Sequence, residues 1–361
     1  MARRSEEATI SDVARLAEVS TATVSRALRR PGQVKPATRA RILEAAQALS
    51  YGATRSASSL ASGRTDRIAI LNGGSLAHWF TSEILQGAYT VIRDHQMDLT
   101  LYRAGTAAER EQFFRTLPAR KNADAMMVTS FKLREDETAH LSRLHMPLVF
   151  LNMSADPHPN VSIDDDQAAR RVARHLVSLG HRVFAVVGSA SQHQGAFWSS
   201  DTRRDSFEQE VKTLSPAAVV HHLSVPAVLA PNAAELATQS ILDQTQPPTA
   251  VFVLLDELAI PLIHTLRRQG LRVPQDISVV GFDDHPMAAS FGLTTVHQPV
   301  AEIGARGADL AVRLAAGEQD APTHITIPTS LVLRQSTASP LDSIFLRNPD
   351  NEEAGVVRAP S

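Results

Sequence analysis

Residues Ala8–Arg64 read ATISDVARLAEVSTATVSRALRRPGQVKPATRARILEAAQALSYGATRSASSLASGR. Thr9 with Asp12 three residues on has the form of a capping box, in which each side chain bonds the other's backbone and opens a helix. Val13, Leu16 and Ala17 then fall on one face at helical spacing. Glu18-Val19 makes a short turn, and Ser20 suits the cap of a second helix with Thr23 at its third position. Val24, Ala27 and Leu28 form the inner face of that helix, while Thr21, Ala22, Ser25, Arg26 and Arg29 point outward. Pro31-Gly32 stops it. Pro36 fits the first position of a third helix, and Ile42, Leu43, Ala46 and Leu49 close a three-helix core. Two short helices joined by a tight turn form a helix-turn-helix, whose second helix enters the DNA major groove N-terminus first.

Charge supports that reading. Residues 1–65 carry 11 Lys/Arg against 5 Asp/Glu, which leaves 25 against 33 in the rest of the chain. A basic head on an acidic body is the footprint of phosphate binding by the head alone. Arg55–Ser62 has helical spacing but only about two turns, and helices that short are marginal alone in water. Its one large apolar residue is Leu60.

From Arg67 the pattern changes. Short apolar runs (Arg67–Leu71, Leu99–Tyr102, Ala125–Val128, Leu148–Leu151, Val183–Gly188, Ala250–Leu255, Ile277–Gly281) alternate with amphipathic segments such as Ser82–Asp94, Ala168–Gly180, Arg203–Leu214, Ala233–Asp243 and Leu258–Gly270. Such alternation predicts parallel sheets covered by helices. About 270 residues suit two sheets of ordinary size better than one. Ligands in such folds sit beyond the carboxyl ends of the strands, so a cleft between two lobes is the expected site.

The stretches DVARLAEVSTATVSRAL, TRARILEAAQALSY and SLASGRT resemble the lactose/galactose-repressor family of bacterial transcription regulators. GHRVFAVVGS, GLRVPQDISVVGFDDHP and LTTVHQPVAEIGARGADL carry the likeness into the body. The resemblance implies a three-helix DNA-binding head over 1–54, a hinge helix and linker over 55–66, and a two-lobed periplasmic-binding-protein-like core over 67–338. Lobe 1 would span about 67–164 and 295–324, and lobe 2 about 165–294 and 325–338. Thr21, Ala22 and Arg26 would face base edges, Arg26 reaching guanine bidentately. Thr23, Ser25 and Arg29 would meet phosphates. Arg55 belongs with the DNA contacts, and Leu60 is in register with a leucine that wedges the minor groove and kinks it. Ala53-Thr54 stands where the family usually has Pro-Asn, which leaves the head–hinge junction less rigidly directed.

The family also implies effector contacts at Trp79, Phe80, Asn152, Arg203 and Asp283, with Trp198 as a roof. Arg203 and Asp283 on opposite walls would offer a donor fork and an acceptor pair, which suits vicinal hydroxyls and hence a carbohydrate effector. Two positions depart from the family: Ser206 where Gly is more usual, and Leu255 where Asn is common.

Other features are plainer. With no cysteine in the chain, disulfides and thiolate metal sites are excluded. Asp164-Asp165-Asp166 precedes a helix, where acids favour the dipole, and reads as a helix start instead of a metal cluster. His221-His222 reads as strand surface, and Gly73-Gly74-Ser75 as a turn. Neither metal nor cofactor is expected. The start MARRSEEATISD has no apolar stretch, and no run of about 18 apolar residues occurs, so a cytoplasmic, nucleoid-associated protein is expected. Residues 339–361 read as a disordered tail without leucine heptads, so a homodimer is expected on a double-stranded operator. The rival reading is a cytoplasmic sugar-binding module or sugar-processing enzyme on the same lobes, against which stands the lack of any nucleophile elbow or phosphate loop.

Overall fold

A computed structural model describes residues 8–29, 33–49, 64–117, 122–130, 133–143, 146–153, 157–189, 199–226, 230–318, 320 and 322–341, without the side chains at 28, 29, 199 and 200. Arg55, Leu60, Trp198 and all but the first residues of the tail lie outside the described residues. The chain divides into two units, Met1–Asp66 and Arg67–Ser361.

Among the described residues the first unit has three helices, α1 (Ile10–Leu16), α2 (Thr21–Arg29) and α3 (Pro36–Ala48). Both halves of the Thr9–Asp12 capping box form. Glu18, at φ +52°, takes the left-handed conformation that turns the chain between the first two helices. Ser20 Oγ accepts from Thr23 N at 3.2 Å and so caps α2, and Pro36 opens α3. The core is Val13, Ala14, Ala17, Val24, Ala27, Ile42, Ala45 and Ala46. Two expected members are outside it: Leu16 is 53% and Leu43 41% exposed. Alanines take the inner positions because short helices this close leave no room for a leucine at each. Fully burying a Val or Ile contributes about 1.5–3 kcal/mol, so Val13, Val24 and Ile42 supply most of this small core's cohesion.

Among the described residues the second unit holds two six-stranded sheets. The first, in lobe 1, uses β1 (Arg67–Asn72), β2 (Asp98–Arg103), β3 (Ala125–Thr129), β4 (Leu148–Leu151), β5 (Asn160–Ile163) and β11 (His324–Ile327), in the order β11-β5-β4-β3-β1-β2. The second, in lobe 2, uses β6 (Val183–Ser189), β7 (Val219–Val225), β8 (Ala250–Val253), β9 (Ser278–Asp283), β10 (Thr294–His297) and β12 (Ser330–Val332), in the order β12-β10-β9-β8-β6-β7. Every pairing is parallel except β10 with β12. Both sheets are covered by helices, and their central strands are buried along all or nearly all of their length, as parallel strands require.

The chain passes between lobes after β5, after β10 and between β11 and β12. The sequence-based lobe boundaries at 295 and 324/325 therefore fall a few residues early. Thr294–His297 still belongs to the second sheet and His324–Ile327 to the first. In lobe 1 the helices α4 (Trp79–Asp94) and α11 (Val300–Ala315) meet backbone to backbone. A Cβ on Gly87 would lie 1.9 Å from Ala301 O, and one on Gly304 2.2 Å from Ile84 O. In lobe 2 the segment after β12 is sewn along β9. Ser336 Oγ accepts from Thr294 N at 2.8 Å, and Val279 N donates to Ser336 O at 2.8 Å. Buried His181 joins Thr249 Oγ1 at 2.8 Å and Ala338 O at 3.0 Å.

Candidate functional site

The reading helix α2 presents Thr21, Ala22 and Arg26 on its exposed face, with Thr23 and Ser25 half-buried at its sides. This outward set results from the inward packing of Val24 and Ala27. Arg26 lies along the helix, its Nε donating to Ala22 O at 3.3 Å. Thr23 also shares a hydroxyl contact with Ser20 at 2.8 Å, so it serves the cap as well as the surface.

In the core the chemistry gathers at the C-terminal ends of the strands. Asp283 ends β9 and is 1% exposed. It and Asp284 take φ of +119° and +55°, two consecutive non-glycine residues in the left-handed region, which is strain of the kind that sites retain. Gln298 Nε2 donates to Asp283 Oδ1, while Asp283 Oδ2 and Gln298 Oε1 have no partner among the described residues. Burial pushes the Asp283 carboxyl up to about 7, against the pull of the Arg203 charge and the Gln298 bond. Asn152, after β4, also has positive φ, is 9% exposed, and finds no partner for its Oδ1 among the described residues.

Arg203, on α8 (Ser199–Leu214), is not across the cleft from Asp283. Both belong to lobe 2, which corrects the opposite-walls expectation. The Arg203 guanidinium is committed within its own lobe. Nε donates to Asp165 Oδ1 at 2.6 Å, Nη1 to Leu254 O at 3.2 Å, and the group stacks on Phe282 at 3.5 Å. Burial pushes Asp165 up, and the Arg203 charge opposes that only in part.

Trp79 and Phe80 open α4 in lobe 1 and are half-buried. The Trp79 ring stands edge-on to His285, 5.4 Å between centroids, and Trp79 N donates to Glu257 Oε1 at 3.1 Å. His78 Nδ1 pairs with Glu257 Oε2 at 2.9 Å. Glu257 belongs to α10 (Asp256–Arg268) in lobe 2. Trp79 thus faces the other lobe, as a cleft residue should. Gln298, Glu257, His78 and His285 were missed in the sequence. Their only signals were that His285 and Gln298 lie within GLRVPQDISVVGFDDHP and LTTVHQPVAEIGARGADL, and that His78 and Glu257 lie close to Trp79 and Leu255. Leu255 caps α10 without a side-chain bond, and Asp256 behind it is buried, accepting from Thr295 Oγ1 at 2.8 Å and His285 N at 2.9 Å.

The other two acids of the Asp164–Asp166 run have structural partners. Asp164 accepts from Gln167 N at 2.8 Å and so caps α7 (Asp165–Ser178). Asp166 accepts from Arg170 at 2.9 Å and from Ser206 Oγ at 2.7 Å, so the serine at the family's glycine position ties α7 to α8. His221 and His222 lie on the edge strand β7, bonded to Gln246 O at 2.9 Å and Glu208 at 2.8 Å. Asn72 closes the Gly73-Gly74 turn, donating to Gly74 O at 2.8 Å. No helix among the described residues is long and apolar enough to cross a membrane.

A helix-turn-helix head and a two-sheet, thrice-crossed α/β core define a class of bacterial DNA-binding regulators. Residues 9–53 match the bacterial regulatory proteins of the lacI family, and residues 173–337 match the periplasmic binding protein-like domain. The chain belongs to the LacI family and is a helix-turn-helix transcription regulator. It is 32% identical over 341 residues to the transcriptional repressor PurR of Edwardsiella ictaluri (strain 93-146), covering 92% of this chain and 97% of that protein. It is 28% identical to catabolite control protein A of Priestia megaterium, covering 91% and 99%. Among solved structures it is similar to a lac repressor dimer bound to operator and the anti-inducer ONPF, with TM-score 0.79, 23% identity and coverage of 92% and 100%. It is also similar to a CelR–cellobiose complex, with TM-score 0.66, 25% identity and coverage of 91% and 99%.

Proposed function

We propose that this regulator is a repressor that binds a pseudo-palindromic operator as a homodimer, under the control of a small, hydroxyl-rich effector, a sugar or sugar derivative, held between the lobes. Paired α2 helices read adjacent major-groove half-sites through Thr21, Ala22 and Arg26. Thr23, Ser25 and Arg29 fix the register on phosphates, and Arg55 and Leu60 act at the minor groove between the half-sites. Its place of work is the nucleoid. The repressor names of its relatives support this reading over a binding module or an enzyme.

The observation that carries the effector reading is the set of buried acceptor oxygens without partners among the described residues. They are Asn152 Oδ1 in lobe 1, Asp283 Oδ2 in lobe 2 and Gln298 Oε1 at the crossing between them. A buried polar group left unpaired costs about 1–3 kcal/mol. Hydroxyl donors of a ligand seated between the lobes would relieve all three at once, and would do so only with the lobes together. That differential is what lets a ligand shift a conformational equilibrium.

The test has two arms. In a gel shift against genomic fragments at moderate salt, one set of fragments should outcompete bulk DNA; uniform binding would remove the regulator reading. In a thermal-shift screen of neutral sugars, sugar phosphates and nucleobases, a neutral sugar should raise Tm by mass action and change the gel shift. A nucleobase doing so instead would overturn the carbohydrate assignment.

A further inference from the structure

The helix Trp79–Asp94 begins without a cap of its own. Its cap residue His78 makes no side-chain cap bond, and its first turn holds no acid. The helix Asp256–Arg268, in the other lobe, likewise starts at Leu255 without a side-chain cap. A helix N-terminus exposes unpaired N–H groups and the positive end of the macrodipole. One carboxylate serves both. Glu257 sits in the first turn of its own helix and reaches across the cleft to accept from Trp79 N at 3.1 Å, while its other oxygen pairs with His78 Nδ1 at 2.9 Å. Its side chain is 14% exposed and that of His78 23%, so water screens the pair only in part. Burial pushes the Glu257 carboxyl up, but the bonds from His78 and Trp79 outweigh it and hold the group below the usual carboxylate range. Beside this contact the Trp79 ring meets His285, whose backbone N–H is fastened to Asp256.

From this we infer that Glu257 is a clasp between the lobes: a cap for a helix of lobe 1 supplied by lobe 2, which holds the core closed before any effector arrives and positions Trp79 at the cleft. Separation of the lobes breaks two charge-assisted or cap bonds at once and uncaps the helix of lobe 1. The share of closed protein without ligand is thereby set by residues of the chain itself. An effector adds to this bias and does not create it. The inference rests on the two-lobed core and not on the effector reading, so a chain that bound no sugar would leave it standing.

Amide hydrogen exchange of the full chain, read on peptides spanning 76–85 and 255–262, tests the clasp. With Glu257→Gln or Glu257→Ala, exchange should accelerate about tenfold or more in both peptides, the size expected for loss of a charge-assisted hydrogen bond. Distant core peptides should be unchanged. Acceleration confined to 255–262 would mean that Glu257 caps only its own helix, and would overturn the proposal. His78→Ala provides the reciprocal measurement from a site outside the helix Asp256–Arg268. It should accelerate exchange at 255–262 across the cleft, and no change there would equally overturn the clasp.

Discussion

The guanidinium carbon of Arg203 lies 3.5 Å from the centre of the Phe282 ring, and Phe282 is the residue before Asp283. Arg203 therefore shapes the floor under Asp283 through stacking and through its bond to Leu254 O. Its charge is offset by Asp165, with side chains 3% and 12% exposed. Removing one partner of a buried pair leaves the other uncompensated, at a cost of about 3–5 kcal/mol. Arg203→Ala should lower unfolding free energy in urea by that order, and adding Asp165→Asn should recover part of it. An Arg203→Ala protein as stable as the parent would contradict the assignment of Arg203 as a support for the site.

Asp283 links the site to pH. Its folded pKa of about 7 lies above its ordinary value of 3.8, chiefly through burial. For an acid raised in this way the folded state holds the proton more tightly, so stability falls as pH rises from about 4 through about 7. Asp283→Asn has no such penalty. Its melting temperature should gain on the parent between pH 5 and pH 8, in the absence of effector. A difference that stays flat across that range would show the carboxyl to be ionised throughout.

His181 behaves in the opposite sense. Burial pulls its pKa down to about 4 from 6.5, opposed by the bond to Ala338 O. The neutral ring is favoured in the folded state, so its contribution is lost as pH falls from about 6.5 through about 4. His181→Gln should flatten the acid limb of the Tm–pH curve. An acid limb identical to the parent's would exclude His181 as its source.

The contact of α4 with α11 leaves no space for a methyl group at Gly304. Gly304→Ala must push the helices apart, and overpacking of this kind costs about 1–3 kcal/mol, although alanine favours the helix itself by about 1 kcal/mol. Chemical denaturation should show a net loss; a stabilised variant would mean that the helices slide freely.

Arg26→Ala on the reading helix should weaken the selected fragment by about 1–3 kcal/mol and relax preference at one base pair of each half-site. Leu60→Ala should weaken the operator complex while leaving the effector's thermal shift unchanged. If Arg26→Ala weakens all sequences equally, Arg26 contacts phosphate instead of base.

How much of this was legible depends on the range of the interaction. The Thr9–Asp12 box, the Ser20 cap and the Pro36 start are local, involve residues three apart or fewer, and were readable. So were the buried central strands, because apolar runs such as Ala125–Val128 have one use in a parallel sheet. Leu16 and Leu43 misled because periodicity gives a face but not which of its positions the neighbouring helices cover, and here they cover Val13, Ile42 and alanines instead. The short strands β10, β11 and β12 fix the lobe boundaries through pairing partners far away in sequence, so those boundaries came out a few residues early. In the site, Asp283 and Trp79 stood in quotable motifs. Gln298 and Glu257 gain their meaning only from Asp283 and from His78 and Trp79, partners 15 to 179 residues away. That Arg203 and Asp283 share one lobe was already implied by the sequence-based range of about 165–294 for lobe 2, and the opposite-walls expectation was at odds with it.

The three passages between lobes also constrain the order in which a ribosome can finish the molecule. Lobe 1 has its first five strands by Ile163, but the helix that packs on Gly87 begins only at Val300, and the last strand of its sheet ends at Ile327. At about 5–20 residues per second, the half-built sheet waits on the order of ten seconds with β5 unpaired on one edge and α4 bare on one face. Lobe 2 likewise cannot seat β12 until lobe 1 has received β11. The nascent chain thus completes both lobes together, between Val300 and Val332, and a chain truncated before Val300 should emerge with neither lobe whole.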